Sequence, residues 1–181
     1  VYVSSSMSSF SFKYANTILS PIPLTIIDND ALTPGVTLTE SSGSTVLSEA
    51  GTTDSYTLVL NTVPTSNVAI ALSSDSDSTL STSSIVFTTS NWNVPQTITV
   101  TAVDDAIAEG SHASTISHVA TSIDGNYDGV AISSVTSTIT DNDTAGFTVS
   151  AISGNTTEAG GTATFTVVLT SQPTALVTTT V

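Results

Sequence analysis

Apolar and polar side chains alternate along most of the chain, with short runs of turn residues between the alternating segments. The clearest segments are VTLT, YTLVL, VAIAL, IVFT, ITVTAV and VTSTIT, at residues 36–39, 56–60, 68–72, 85–88, 98–103 and 135–140. A period of two residues, rich in Val, Ile and Thr, predicts β-strands. No segment shows helical periodicity over three turns. Strand starts roughly 10–15 residues apart favour a β-sandwich with hairpin or Greek-key links.

The chain also repeats itself. Residues 14–30 (YANTILSPIPLTIIDND) match residues 127–143 (YDGVAISSVTSTITDND) without gaps, and residues 48–65 match residues 157–174. Self-similarity at a spacing of about 113 residues indicates tandem repeats. We therefore predict the C-terminal part of a preceding repeat at 1–30, a complete repeat at 31–143 and the N-terminal part of a following repeat at 144–181.

The junction between these repeats is short, because a strand pattern restarts at Gly146, soon after Asp143. A short junction restricts motion between neighbours, so we expect a rod-like array. The chain is then either a segment of a longer protein or a subunit whose partial repeats are covered by other chains. The middle of a repeat is missing from both partial copies, so two chains could not complete a repeat simply by pairing their ends. This favours a segment of a longer protein.

Charge and composition exclude several functions. The chain has one Lys or Arg against 15 Asp and Glu, and a net charge of -14. So little positive charge cannot neutralise phosphates, and an anionic membrane surface would repel the chain. No apolar run approaches the length of a membrane span, and the first residues lack a signal-peptide pattern. Without cysteine there are no disulfides, thiol chemistry or Cys-based zinc sites.

The few acidic residues are grouped at strand ends, in the segments SEAG, SSDSDS, VDDAIAEG and TDND. Loops after alternate strands gather at one end of a sandwich, so we expect these acids to converge. Close carboxylates repel one another, and almost no basic side chain is available to pair them. A hard divalent ion with oxygen ligands would remove the repulsion, and calcium suits such a mixed set better than magnesium. The alternative is that the acids are solvated and serve solubility.

Three segments carry a family resemblance: SEAGTTDSYTLVLNTVPT, IVFTTSNWNVPQTITVTAVDDAIAEG and NYDGVAISSVTSTITDND. The complete repeat resembles a Calx-β domain, and more closely the tandem Calx-β-like repeats of large bacterial surface proteins. The resemblance implies a seven-stranded antiparallel β-sandwich that binds calcium at one tip. By position, it assigns the ligands to Glu49, Asp75, Asp104, Asp105, Glu109, Asp141 and Asp143.

The sequence departs from the family pattern in two places. SSDSDS replaces the usual mid-domain motif, so Asp75 and Asp77 remain alternatives for one ligand. The acidic run after Asp105 is thinner than in the exchanger members, which implies fewer ions or weaker binding. In the partial repeats, Asp28 and Asp30 correspond to Asp141 and Asp143, and Glu158 corresponds to Glu49. Their partner loops are missing, so we expect no full sites there.

The remaining candidate residues favour structural roles. Trp92 is expected to pack against a loop or the core edge, and His112 and His118 are expected to be ordinary strand residues. Serine is so abundant that a catalytic triad would have no specificity, and no nucleophile elbow occurs. We therefore predict that the protein is not an enzyme.

These expectations combine into a function. We predict a structural repeat segment of a long extracellular fibre, filament or adhesin stalk of a secreted bacterial protein, stiffened by calcium at repeat tips and junctions. Its partners would be neighbouring repeats of the same chain or like chains. The alternative is an adhesion module that binds a glycan or a cell-surface protein, for which Trp92 is the main candidate contact. The Ser/Thr-rich surface is a candidate for O-linked sugars.

Overall fold

A computed structural model describes residues 33–180, which form an all-β structure. The predicted segment at 1–30, with Asp28 and Asp30, lies outside the described residues. The strands of the predicted complete repeat are β1 (Val36–Glu40), β2 (Thr45–Ser48), β3 (Thr53–Leu60), β4 (Val68–Ser74), β5 (Ser78–Leu80), β6 (Ser84–Phe87), β7 (Gln96–Ala102), β8 (His112–Ser122) and β9 (Val135–Thr140). Within the described part of the chain, no helix is long and apolar enough to cross a membrane.

The nine strands form two sheets. One has the order β1-β3-β7-β5, and the other has the order β2-β9-β8-β4-β6. The core lies between them, built from the alternate inward side chains of both sheets, such as Leu58, Ile70 and Ile98. These side chains are fully buried, while Thr97 and Ala71 on the outward faces are exposed. The predicted β-sandwich is therefore present in the described residues.

The first strand crosses from one sheet to the other. β1 pairs with β3 in the first sheet, and β2 pairs with β9 in the second, after a single 3-10 turn at Ser41–Gly43. Asp54 fixes this crossing, because its carboxylate accepts hydrogen bonds from the Ser41 hydroxyl and from the Val46 N–H, the latter at 2.9 Å. These hydrogen bonds lower the pKa of Asp54.

Two features differ from the predicted seven-stranded antiparallel sandwich. β2 and β9 are parallel, with Thr45 opposite Ser137 and Ser48 opposite Thr140, so the sheet is mixed. The repeat also has nine strands, because the first strand divides into β1 and β2 and because the short β5 pairs with β7. The parallel pair follows from the crossing, which lays the second half of the first strand beside the last strand.

Residues 144–180 form a smaller two-stranded sheet of β10 (Phe147–Val149) and β11 (Val167–Leu169). Its local geometry resembles the start of the complete repeat. Leu169, which the sequence match aligns with Leu60, pairs with Phe147 as Leu60 pairs with Val36. The bridge between Thr157 and Gly161 likewise matches the bridge between Ser48 and Thr52.

A hydrogen-bonded pair of polar side chains reaches into the core. The Tyr56 hydroxyl lies 2.9 Å from His118 Nε2, and His118 Nδ1 lies 2.9 Å from the Ser133 carbonyl oxygen. The arrangement fits a neutral imidazole that donates from Nδ1 and accepts from the tyrosine. Burial lowers the pKa of His118, although the hydrogen bond to Ser133 acts in the opposite direction. Burial also raises the pKa of Tyr56.

This pair predicts a stability loss in weak acid. Because the pKa of His118 is lower in the folded chain, the unfolded chain binds the proton first, and stability falls as pH drops below about 6.5. We expect His118→Gln to reduce that fall in thermal melts between about pH 7.5 and pH 5 in the presence of a chelator. The pKa of His112 is raised, chiefly by its hydrogen bond to Gly110, so His112 contributes with the opposite sign. The wild type and the His118→Gln variant both retain His112, so its contribution is the same in each. If the melting temperatures of the two proteins fell equally with pH, the prediction would be contradicted.

Candidate metal centre

The acid-bearing loops open at one end of the sandwich. Ser48 at the end of β2 pairs with Thr140 at the end of β9, and His112 at the start of β8 pairs with Ile139. Ala102 at the end of β7 lies opposite Ser78 at the start of β5. The segments that follow β2, β4, β7 and β9 therefore meet at this end, as predicted from the strand alternation.

Glu49 lies at the centre of this end. The parallel pairing of β2 with β9 continues one residue further, because the Glu49 N–H donates to the Thr140 carbonyl at 3.1 Å. The Glu49 side chain is only 2% exposed, and its Oε2 atom has no hydrogen-bond partner. A buried carboxylate oxygen without a partner is costly, because burial removes its hydration without replacing it.

Two groups of side chains bring ligand atoms within 4.8 Å of one another, and Glu49 belongs to both. The first group, which we call the acidic group, consists of Glu49, Asp104 and Asp143. Asp143 Oδ2 is also buried without a hydrogen-bond partner. The second group, which we call the histidine group, consists of Glu49, Glu109 and His112.

The described residues at this end carry many negative charges and no Lys or Arg. Burial raises the pKa of Glu49, and the negative charges of Asp141 and Asp105 raise it further, while the Asn142 N–H and His112 act in the opposite direction. The only basic residue of the sequence, Lys13, is remote in sequence from these loops and lies outside the described residues. Among residues 33–180, His112 of the histidine group is the side chain at this end that could carry a positive charge.

Asp141 organises the two loops beside it. Its Oδ2 accepts the N–H of Glu109 at 2.5 Å and of Gly110 at 2.6 Å, and its Oδ1 accepts the Asp143 N–H at 2.6 Å. The hydrogen bonds from Asp143, Gly110 and Glu109 lower the pKa of Asp141. Gly110 has φ of 70°, a conformation that side chains disfavour. Asp141 therefore positions the chain around the ligand groups without belonging to either.

The structure places Asp75 apart from the two ligand groups. Its Oδ1 accepts the Ser114 hydroxyl at 2.5 Å, and its Oδ2 accepts the Thr115 N–H at 2.7 Å. Burial opposes ionisation, but these hydrogen bonds outweigh it, and the pKa of Asp75 is lowered. Asp77 is near enough to His112 for its charge to raise the pKa of that residue. Asp75 and Asp77, the two alternatives for one predicted ligand, thus have different surroundings, and neither belongs to the acidic group or to the histidine group.

Asp105 is exposed, and its Oδ1 accepts the Ile107 N–H at 2.7 Å in the turn that follows β7. Of the seven predicted ligands, the structure therefore brings four into the two groups: Glu49, Asp104, Glu109 and Asp143. Asp105 and Asp141 lie close enough to affect the pKa of Glu49.

Sequence reasoning missed two residues at this end. His112 was expected to be an ordinary strand residue, but its Nε2 lies 3.7 Å from Glu109 Oε2 and 4.0 Å from Glu49 Oε1. Its position three residues after Glu109 was the available signal. Asn142 donates from Nδ2 to Asp104 Oδ1 at 3.0 Å, and only the structure shows this contact. Trp92 packs against the core, as its structural interpretation predicts.

No family model and no curated protein match the chain. Three solved structures are similar to it at low identity. The apo form of the Calx CBD1 domain has 11% identity and a TM-score of 0.39 over 60% of this chain and 99% of its own. A chaperone–tip adhesin complex of CFA/I fimbriae has 11% identity and a TM-score of 0.40 over 66% of this chain and 62% of its own. WR4, a C. elegans MSP family member, has 7% identity and a TM-score of 0.36 over 61% of this chain and 98% of its own. Such scores carry no argument about function, and the resemblance to Calx-β domains stays a prediction.

Proposed function

We propose that residues 33–143 form a calcium-binding repeat of a long extracellular stalk or fibre, with the acidic group as the calcium site. One observation carries the proposal: Glu49 is buried, has an oxygen without a partner, and faces two further carboxylates. A divalent cation bound among these carboxylates would offset their mutual repulsion directly.

The donor set fits calcium. All three side chains of the acidic group offer carboxylate oxygens, which calcium prefers, and backbone carbonyls or water can complete its six to eight ligands. Calcium would supply the positive charge that this end lacks. Glu49, Asp104 and Asp143 would hold the ion, while Asp141 keeps the Glu109–Gly110 turn in place. Extracellular modules commonly bind calcium with Kd of about 10⁻⁴–10⁻³ M, which suits the millimolar calcium outside cells.

Contacts with the following segment support a role in stiffening an array. The Gln172 N–H donates to the Ala106 carbonyl at 2.6 Å, and Ala106 lies in the loop that carries Asp104 and Asp105. The Thr170 hydroxyl donates to the Thr144 carbonyl, also at 2.6 Å, just after Asp143. An ion held by Asp104 and Asp143 would therefore fix both segments that contact residues 170–172.

The alternative, a glycan- or protein-binding module, has weaker support in the described residues. Trp92 packs against the core, and Tyr56 and Tyr127 are buried. Tyr56 and Tyr127 are therefore not available to stack on a sugar, and Trp92 is half-buried, which leaves Phe147 and Phe165 as the exposed aromatic side chains of the described residues. The stalk proposal instead uses the acidic group, in which Glu49 Oε2 and Asp143 Oδ2 are buried without a hydrogen-bond partner.

A distance measurement across the junction tests the stiffening. The chain has no cysteine, so Ser117→Cys with Val168→Cys gives two unique spin-label sites at exposed positions. We expect calcium to narrow the distance distribution measured by double electron–electron resonance. Asp104→Asn should keep the broad distribution in calcium, because it removes a ligand carboxylate.

Asp128→Asn is the matched control, since Asp128 lies beyond the far end of β8 and accepts the Ser122 N–H at 3.2 Å. It removes the same charge and should respond to calcium as the wild type does. Equal widths with calcium and with chelator in all three chains would contradict a calcium-stiffened junction.

A further inference from the structure

We infer that the histidine group is a second cation site, selective for a zinc-class transition ion and bridged by Glu49 to the acidic group. His112 distinguishes this site chemically from its neighbour. Calcium takes oxygen ligands, whereas an imidazole nitrogen suits zinc and related ions, which also accept carboxylate oxygens. The bridging by Glu49 rests on the proposed calcium site, whereas zinc binding by the histidine group itself does not.

The imidazole of His112 is oriented for ligation. Its Nδ1 lies 3.1 Å from the Gly110 carbonyl oxygen, a contact in which Nδ1–H donates. That hydrogen bond leaves the lone pair of Nε2 directed to the other side of the ring, where Glu109 Oε2 lies at 3.7 Å and Glu49 Oε1 at 4.0 Å. Metal-binding histidines commonly donate their other ring N–H to a carbonyl in this way, which fixes the tautomer and the ring plane.

The spacing of the ligand atoms fits a small ion. Four-coordinate zinc with bonds of about 2.0–2.1 Å needs ligand atoms roughly 3.3–3.4 Å apart. The distance from His112 Nε2 to Glu49 Oε1 exceeds that value by about 0.6 Å, which a shift of the His112 ring must supply, and the distance to Glu109 Oε2 exceeds it by about 0.3 Å, which rotation of the Glu109 side chain can supply. That side chain is 40% exposed and is therefore free to adjust, whereas the buried Glu49 is held in place.

Glu49 can serve both groups because its two oxygens have different surroundings. Oε1 faces His112, and Oε2 is buried without any hydrogen-bond partner. A bridging carboxylate uses one oxygen for each ion. The two groups together contain four carboxylates, from Glu49, Asp104, Glu109 and Asp143, and two divalent ions balance their charge. One divalent ion leaves two of these charges unbalanced.

Zinc binding to the full chain in saturating calcium tests the inference. We expect competition with a chromogenic chelator to show one tightly bound Zn²⁺ per chain. His112→Asn keeps a donor toward the Gly110 carbonyl but lacks Nε2, and should weaken zinc binding by at least about tenfold with calcium binding unchanged. Glu109→Gln, at an exposed side chain, should also weaken zinc binding. Asp104→Asn should weaken calcium binding and leave zinc binding in place.

His118→Asn is the matched control, because it removes the other histidine of the chain and should not change zinc binding. A long-range ¹H–¹⁵N spectrum should show the Nε2 resonance of His112 shifting on addition of Zn²⁺ and not on addition of calcium. Unchanged zinc binding in His112→Asn would overturn the inference. So would zinc that displaces calcium one for one, because a single shared site would then explain both ions. Zinc binding without calcium binding would overturn the proposed function and the bridging by Glu49, but not zinc binding by the histidine group.

Discussion

Glu49→Gln is expected to raise the unfolding temperature in chelator and to lower it in calcium, each relative to the wild-type chain. The pKa of Glu49 is raised in the fold, chiefly by burial. The folded chain therefore binds the proton more tightly than the unfolded chain, and stability falls as pH rises through the folded pKa. The ionised side chain therefore opposes folding, and a glutamine of the same shape removes that penalty.

The two effects have comparable sizes. Without calcium, the substitution should stabilise the chain by about 1 kcal/mol, or roughly 4 °C. With calcium at about 5 mM and Kd of about 10⁻⁴–10⁻³ M, the wild type gains about 1–2.3 kcal/mol, or roughly 4–9 °C. Glu49→Gln should lose most of that gain. Glu49→Gln should therefore melt above the wild type in chelator and below it in calcium.

Glu158→Gln provides the matched control for this reversal. Glu158 occupies the position equivalent to Glu49 in the following segment, but it is exposed. Its substitution removes the same charge and should leave both melting temperatures close to those of the wild type. If Glu49→Gln destabilised the chain equally in chelator and in calcium, Glu49 would be a structural hydrogen-bonding residue and not a ligand.

Ile98→Ala is expected to cause the largest loss of stability, about 2–5 kcal/mol, because it leaves a cavity between the sheets. Ile98 is fully buried on β7 and lies opposite Tyr56 on β3. The neighbouring Thr97→Ala is the control, since Thr97 points to the exposed face of the same strand. Chemical denaturation should show a lower midpoint for Ile98→Ala and little change for Thr97→Ala. Similar losses for both would mean that the inward and outward faces of β7 are misassigned.

The sequence could predict the strands whose inward side chains are apolar. Tyr56, Leu58 and Leu60 alternate with polar residues on β3, and such a pattern is visible without a structure. β8 is the longest strand, yet it is not among the alternating segments, and only His112 and His118 were expected to lie in a strand there. Its inward positions include Ser114 and His118 as well as Ile116, because hydrogen bonds to Ser78 and Tyr56 satisfy the polar side chains inside the fold. Such compensation depends on residues far away in sequence.

The same limit applies to the site. Strand alternation sufficed to predict that the acidic loops meet at one end. It could not separate Asp75, which is bound by Ser114 and Thr115, from Asp104 and Asp143, which lie against Glu49. Nor could it find His112, which the pairing of β8 with β9 places opposite Ile139 and near Glu49. The place of Glu49 depends on the crossing of the first strand, which a local pattern does not encode.

That crossing also determines how the repeat would bear tension. β2 belongs to the first strand and β9 is the last, and the two run parallel through four residue pairs, from Thr45 with Ser137 to Ser48 with Thr140. Pulling the two ends of the repeat apart draws β2 and β9 in opposite directions along their common axis. The hydrogen bonds between them are then loaded together in shear, whereas peeling would break them one at a time. Glu49 and Asp143 follow the same two strands, so a cation held between them would cross-link the pair at the end where the chain continues into residues 144–180.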